Sequence, residues 1–210
     1  MWLLWARPSG RPSGTPSTSS FSPDTNEKGN LTRQRWKIEG PPKVTVDFLI
    51  APSGPDDKGG KLKNLEDDFA AIIAPGLRIA FLGRKKVVLD GKTIRNEQAR
   101  REVWVCGAAA FVVMKALAFR LRGENKDAYD LAYFLRNYEG GVAEVADGLR
   151  PLLVEEVEVA EALGYLREDF ASVEALGPRR TAEFIHDAPN DEAQADAWGA
   201  VQDLLTLVPD

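Results

Sequence analysis

The chain has one cysteine and one histidine in 210 residues, and both scarcities narrow what it can do. A single thiol rules out an intramolecular disulfide and any multi-cysteine zinc site. Cys106 lies in the apolar run VWVCGAAAFVV and reads as a small buried hydrophobe in a reducing, cytoplasmic protein. His186, in TAEFIHDAP, has no serine, cysteine or second histidine spaced for a triad or a metal site, and is expected at the surface. An excess of positive charge is also missing. With a net charge of -5 and a pI of about 5.1, no overall field draws the protein onto nucleic acid or anionic lipid. One local group, Arg84-Lys85-Lys86, suits either RNA phosphates or simple solvation of a hairpin. No apolar run approaches the roughly 18 residues of a membrane span, and MWLLWA is too short for a signal-peptide core. The reading is a protein with no membrane partner.

What remains is an ordinary globular composition, 44% hydrophobic and 28% charged, long enough for one domain plus a tail. From Ala6 to about Asn30, Pro, Ser, Gly and Thr dominate, including the repeat RPSGRPSG, so residues 1–33 are expected to form a disordered tail. Residues 34–107 read as sheet. RQRWKIEG and KVTVDFLIAP are β-branched and aromatic runs on either side of Gly40-Pro41-Pro42, and LRIAFLG with KKVVLDG reads as a further strand pair, turning at Asp90-Gly91. In the second run Asp47 falls on the face opposite Val44, Val46, Phe48 and Ile50. Trp36, Trp104 and Trp198 read as core or groove residues.

Residues 108–210 change to a helical period. AAAFVVMKALAFRLRG stops at Gly123, KDAYDLAYFLRNY is amphipathic up to Gly140-Gly141, and acidic helices follow. The fold class expected is α+β, a small sheet followed by a helical half.

Asp127 and Asp130 stand at i and i+3, so one helical face carries both carboxylates. Lys115, across the glycine turn, meets that face if the two helices form a hairpin. A plainer account is a solvated face with Lys126 and Asp130 as an i, i+4 ion pair.

The order of residues adds something that spacing does not. A strand aspartate in VTVDFLI, Lys115 in an Ala- and Leu-rich helix, eleven residues, then Asp127-Ala128-Tyr129-Asp130 resembles the AbiEii toxin group of the nucleotidyltransferase superfamily. The resemblance spans roughly residues 35–138 and is most specific at KALAFR and KDAYDLAYFL. It implies a nucleotidyltransferase-like mixed sheet with appended helices. It also implies a toxin of a bacterial toxin–antitoxin pair, passing a nucleotidyl group from a nucleoside triphosphate to an RNA or protein acceptor, with Mg²⁺ as cofactor and a cognate antitoxin as partner. Asp47 would be the third carboxylate, binding metal and deprotonating or positioning the acceptor, Lys115 the phosphate contact, and Asp127 and Asp130 would orient the lysine or the acceptor. The chain departs from the group in one respect. No Gly-Ser turn followed by an Asp-x-Asp strand precedes Asp47. Ser13-Gly14 is in the tail, Asp24 and Glu27 have no apolar strand around them, and Asp56-Asp57 and Asp67-Asp68 come too late. A truncated or mis-started chain, a degenerate member that binds a nucleotide or protein without transferring, and a complementing partner chain all fit that departure.

Overall fold

The computed structural model describes residues 21–39, 44–93 and 96–208. The class is mixed α+β, with small sheets in the N-terminal region and a helical C-terminal half. Two compact units divide the chain. One takes everything up to Ala74 together with Lys85–Val105, and the other takes Pro75–Arg84 together with Cys106–Asp210. Pro75–Arg84, and Cys106 with Gly107, fall within the stretch 34–107 read as sheet and group with the helices.

In the first unit, β1 (Phe21–Thr25), β2 (Leu31–Ile38) and β3 (Val44–Asp47) form an antiparallel sheet in that order. β1 lies inside the stretch read as a tail, so Phe21–Thr25 is ordered, and residues 1–20 lie outside the described part. Composition misled here because backbone pairing with β2 and one ring supply what the polar side chains do not. Phe21 stacks on Trp36 at 5.2 Å, Asp24 is buried, and Pro23 sits on an edge strand, where its missing N–H costs no ladder bond. Cross-strand partners share a face, which puts Arg35, Lys37, Thr45 and Asp47 on one side and Trp36, Ile38, Val44 and Val46 on the other.

Phe48 divides the VTVDFLI run between two sheets. After it, β4 (Leu49–Ile50) pairs parallel with β6 (Phe69–Ile73), which pairs antiparallel with β5 (Leu62–Glu66). Phe48 meets Phe69 edge-on at 4.7 Å, and Ala70, Ala71 and Ile73 are buried.

The third sheet is a ribbon of two strands, β7 (Lys85–Lys92) and β8 (Gln98–Val105). Two expectations fail at this point. LRIAFLG is not a strand: Ile79–Leu82 is a single helical turn, α1, whose Ile79 and Ala80 are buried. Asp90-Gly91 is not the turn either, because those residues pair with Arg100 and Ala99 inside the ribbon. The chain reverses further on, where Asn96 takes φ +62° and bonds back to Thr93. β7 thus continues past a dipeptide that in isolation favours a turn.

The second unit holds α2 (Ala108–Arg122), α3 (Asn125–Asn137), α4 (Gly141–Glu155), α5 (Val157–Asp169), α6 (Leu176–His186) and α7 (Asp191–Leu205). Their apolar stripes converge on one core that includes Val112, Leu131, Leu149, Leu163, Phe170 and Leu204, each 1% exposed or less. Gly123 ends α2 in the left-handed conformation, its N–H on the Phe119 carbonyl at 2.7 Å. α6 was not foreseen, because Gly177-Pro178 looks like a helix breaker. Pro178 lies in the first turn, where its missing N–H costs little, and Gly177 admits the Phe170 ring, which a Cβ would meet at 2.4 Å. Among the described residues no helix is long and apolar enough to cross a membrane.

Candidate functional site

Helix propensity makes α2 and α3, and the Gly123 turn folds them into a hairpin; the charges at that hairpin are the candidate site. Lys115 points from the buried side of α2, with 5% of its surface exposed. Its Nζ donates to Asp127 Oδ1 at 2.9 Å and to Asp130 Oδ2 at 2.6 Å, and it lies 5.8 Å from the centre of the Phe111 ring. Arg122, in the last turn of α2, donates twice to Asp127, from Nε at 2.6 Å and Nη2 at 2.8 Å. Lys126 donates to both oxygens of Asp130 at 2.6 and 2.7 Å. The expected convergence of Lys115 with Asp127 and Asp130 is present in the geometry, and so is the plainer Lys126–Asp130 pair.

Removing an ion from water costs several kcal/mol even after relaxation, so a buried charge persists only where its hydrogen bonds are satisfied. Asp127, with a side chain 2% exposed, meets that condition by accepting from two cations. Burial alone would push its carboxyl up, but the hydrogen bonds from Arg122 and Lys115 outweigh burial and hold it below the ordinary carboxylate range. The same bond, from the other side, raises Arg122. Asp130 is the less buried carboxylate, its side chain 16% exposed, and it forms the outer edge of the cluster beside exposed Lys126. Three cations thus meet two carboxylates, and Glu124 acts on Arg122 as a further negative charge.

Asp47 belongs to the other unit. There Arg35, its partner across β2 and β3, holds it in a two-pronged ion pair at 2.6 and 2.7 Å. One carboxylate absent from the expected set turns up on the same sheet: Asp24, 5% exposed, with Lys37 Nζ 3.7 Å away. The signal for it was the alternation of Phe21, Pro23 and Thr25 against Ser22 and Asp24, hidden by the tail-like composition. Asp57, from one of the late acidic pairs, accepts from the Ser53 amide, the Ser53 hydroxyl and Lys63, which hold it down to about 2. Asp67 and Asp68 form the β5–β6 turn.

Mg²⁺ requires open carboxylate oxygens in near-octahedral array. Both oxygens of Asp47 face a guanidinium, and Asp127 and Asp130 face ammonium and guanidinium groups. Among the described residues no three His, Cys, Asp or Glu side chains are grouped to hold a metal ion. The residues present do not fit a resident Mg²⁺.

His186 is exposed and Cys106 half-buried, its thiol pushed up by burial. Of the three tryptophans expected in a core or groove, Trp104 is 46% exposed and so not in a core, while Trp36 and Trp198 are half-buried.

Compared with family models, curated proteins and solved structures, the chain matches none.

Proposed function

We propose that this protein is a nucleotidyltransferase-like toxin component whose α2–α3 hairpin engages the phosphates of a nucleoside triphosphate. The observation that supports this is a buried lysine, Lys115, held by two carboxylates one helical turn apart across a glycine turn. That is the arrangement the resemblance assigns to a phosphate-contacting lysine with orienting aspartates. A lysine serves phosphate as a compact point charge. Asp130 is the partner an incoming phosphate displaces from Lys115, being less buried than Asp127 and keeping Lys126 as its counter-ion. Asp127, pinned by Arg122, stays in place and aims the ammonium.

A second reading has its own support. Every carboxylate of the expected site is matched by a cation, and no metal-binding group accompanies them among the described residues. That favours a relative that binds nucleotide or protein without transferring. Both readings keep the protein in the cytoplasm with a cognate antitoxin as partner, and in the first the acceptor is RNA or protein.

The deciding assay is Mg²⁺-dependent transfer from labelled nucleoside triphosphates to total RNA and protein. It is run on this chain, on a version extended upstream to any in-frame start, and on Lys115→Met in each. Transfer that disappears with Lys115→Met supports the enzyme. Transfer that survives it removes Lys115 from the site. Nucleotide binding without transfer in either length selects the second reading.

A further inference from the structure

The ribbon of β7 and β8 has two outer edges, and that of β7 is a strand edge with nothing laid against it. Among the described residues β7 pairs with β8 alone, and no other backbone hydrogen bond reaches residues 86–92. Half of the N–H and C=O groups of an antiparallel strand point away from a single partner, so such an edge is a template for a further strand. All eight residues of β7 are exposed, and its middle is apolar, with Val87, Val88 and Leu89 38%, 45% and 51% exposed. Lysines near the ends of an edge strand discourage indiscriminate pairing, and Lys85, Lys86 and Lys92 stand there. They also restrict the registers in which a partner can pair.

We propose that the β7 edge pairs with β7 of a second copy of this chain, antiparallel and centred on Val88, so that two ribbons become one four-stranded sheet. Charge complementarity selects both the partner and the register. With a two-fold axis at Val88, Lys86 stands opposite Asp90 of the second copy and Asp90 opposite Lys86 of the second copy, on the face where Val88 meets its own equivalent. On the other face Val87 meets Leu89 of the second copy, again twice, and Lys85 meets Gly91. No like charges are opposed from Lys85 to Gly91. One residue further, Lys92 faces Arg84 of the second copy, two cations, and the ladder ends. Other registers are worse: an axis at Leu89 opposes Lys86 to Lys92, and an axis at Val87 opposes Lys86 to Val88 and loses both ion pairs. The β8 edge is worse too, since an axis at Arg100, Arg101 or Glu102 opposes two arginines or two glutamates.

The contacts already made within the ribbon leave room for the new ones. Lys86 donates to Glu102 at 3.1 Å and lies over the Trp104 ring, while Asp90 accepts from Gln98 at 2.7 Å. An ammonium has three donors and a carboxylate about four lone-pair sites, so neither contact has to break. Residues 85–91 of the two copies then share roughly six to eight ladder hydrogen bonds. Val103, opposite Val87 in the ribbon, extends the Val87–Leu89 row across the joint. Such a pairing is isologous, so it closes at two copies and does not grow into a fibre. Only the edges are joined, and both faces of the ribbon stay open. The inference uses none of the α2–α3 residues and stands independently of the nucleotide reading.

The test is sedimentation velocity of the full chain from about 1 to 500 µM. The parent is expected to pass from monomer to dimer in that range and to go no further. Lys86→Glu opposes two acids on each side of the axis and Asp90→Lys opposes two lysines, so each variant alone is expected to dimerise about tenfold more weakly or worse. An equal mixture of the two variants opposes unlike charges at both positions again, and is expected to form a heterodimer with about the parent's affinity. Thermal unfolding of each variant checks that its fold survives, and recovery on mixing shows the same, because unfolded chains cannot restore a specific register. Lys58→Glu, an exposed site elsewhere in the same unit, is expected to dimerise like the parent. A parent that stays monomeric overturns the proposal and leaves the edge to a strand of a different protein. A dimer unaffected by Lys86→Glu, a loss in both variants that mixing does not restore, an equal loss in Lys58→Glu, or growth beyond two copies overturns it as well.

Discussion

The two units of this chain solve the burial problem differently. The helical unit closes α2–α7, with Ile79 of the short α1, around one core, in which Phe170, Leu131, Leu149, Leu163, Leu166 and Leu204 are all 1% exposed or less. The sheet unit has short strands in three separate sheets, its buried apolar side chains among the described residues are Ala70, Ala71 and Ile73, and it leaves Leu31, Leu62, Leu65 and Leu89 between 42% and 71% exposed. The sheet unit relies on ring contacts and ion pairs spread over its surface, of which Phe21–Trp36 and Arg35–Asp47 are examples. Exposed ion pairs contribute little, about 0–1 kcal/mol each, whereas a buried leucine contributes several. The lesson is that resistance to unfolding resides in the helices, and so does the buried Lys115–Asp127 pair, whose charges need a full set of partners.

The sharpest way to break that contrast is to remove a buried carboxylate. Asp127→Ala takes from buried Lys115 one of its two carboxylates, leaving Asp130, and is expected to destabilise the helical unit by about 3 kcal/mol, read by urea unfolding followed at the helix signal. Asp47→Ala, which orphans the half-exposed Arg35, is expected to cost far less. Core truncation comes next. Leu149→Ala should cost about 2–5 kcal/mol, against less than about 0.5 kcal/mol for Leu89→Ala on the ribbon. If the two cost the same, the ribbon is buried in solution and the contrast is wrong.

Backbone contact supplies an intermediate effect. The chain leaves the helical unit after Arg84 and re-enters it at Cys106, and beside those points a Cβ on Gly107 would lie 2.3 Å from the Gly83 carbonyl oxygen. Gly107→Ala is expected to cost about 1–3 kcal/mol, whereas Gly91→Ala, with nothing within 4 Å, should be close to neutral on a thermal melt.

The smallest effect is the acid limb of the stability curve. Asp127 has a folded pKa below its unfolded value, so its contribution is complete above the ordinary carboxylate range and is lost as pH falls through the lowered folded value. Helix content should therefore fall in acid, and Asp127→Asn should flatten that acid dependence relative to the parent. An acid limb unchanged by Asp127→Asn would place the titrating group elsewhere.

Much of the helical half was legible because its signals are local. The 3.6-residue period of α2 and α3, the Gly123 stop, and the i, i+3 spacing of Asp127 and Asp130 need no long-range information to be read. α6 was not legible, since whether Gly177 breaks a helix depends on the Phe170 ring that fills its place. In the sheet unit the failures share one cause. Asp90-Gly91 favours a turn by itself, and only the pairing of β7 with β8 keeps it extended; β1 looked like tail because its partner, β2, is what orders it. The partners of Asp47 and Asp24 were equally invisible, because cross-strand neighbours are set by register rather than by spacing along the chain.

The central claim is that Lys115 is a phosphate contact and not only a clamp between two helices, and nucleotide binding tests it most directly. Lys115→Met leaves Asp127 with Arg122 and Asp130 with Lys126, so a folded variant is expected. By equilibrium dialysis with labelled nucleoside triphosphate, the parent should bind and folded Lys115→Met should bind about tenfold more weakly or worse, the loss of roughly 1.4 kcal/mol. Equal binding by the two folded proteins, or none by the parent, would contradict it.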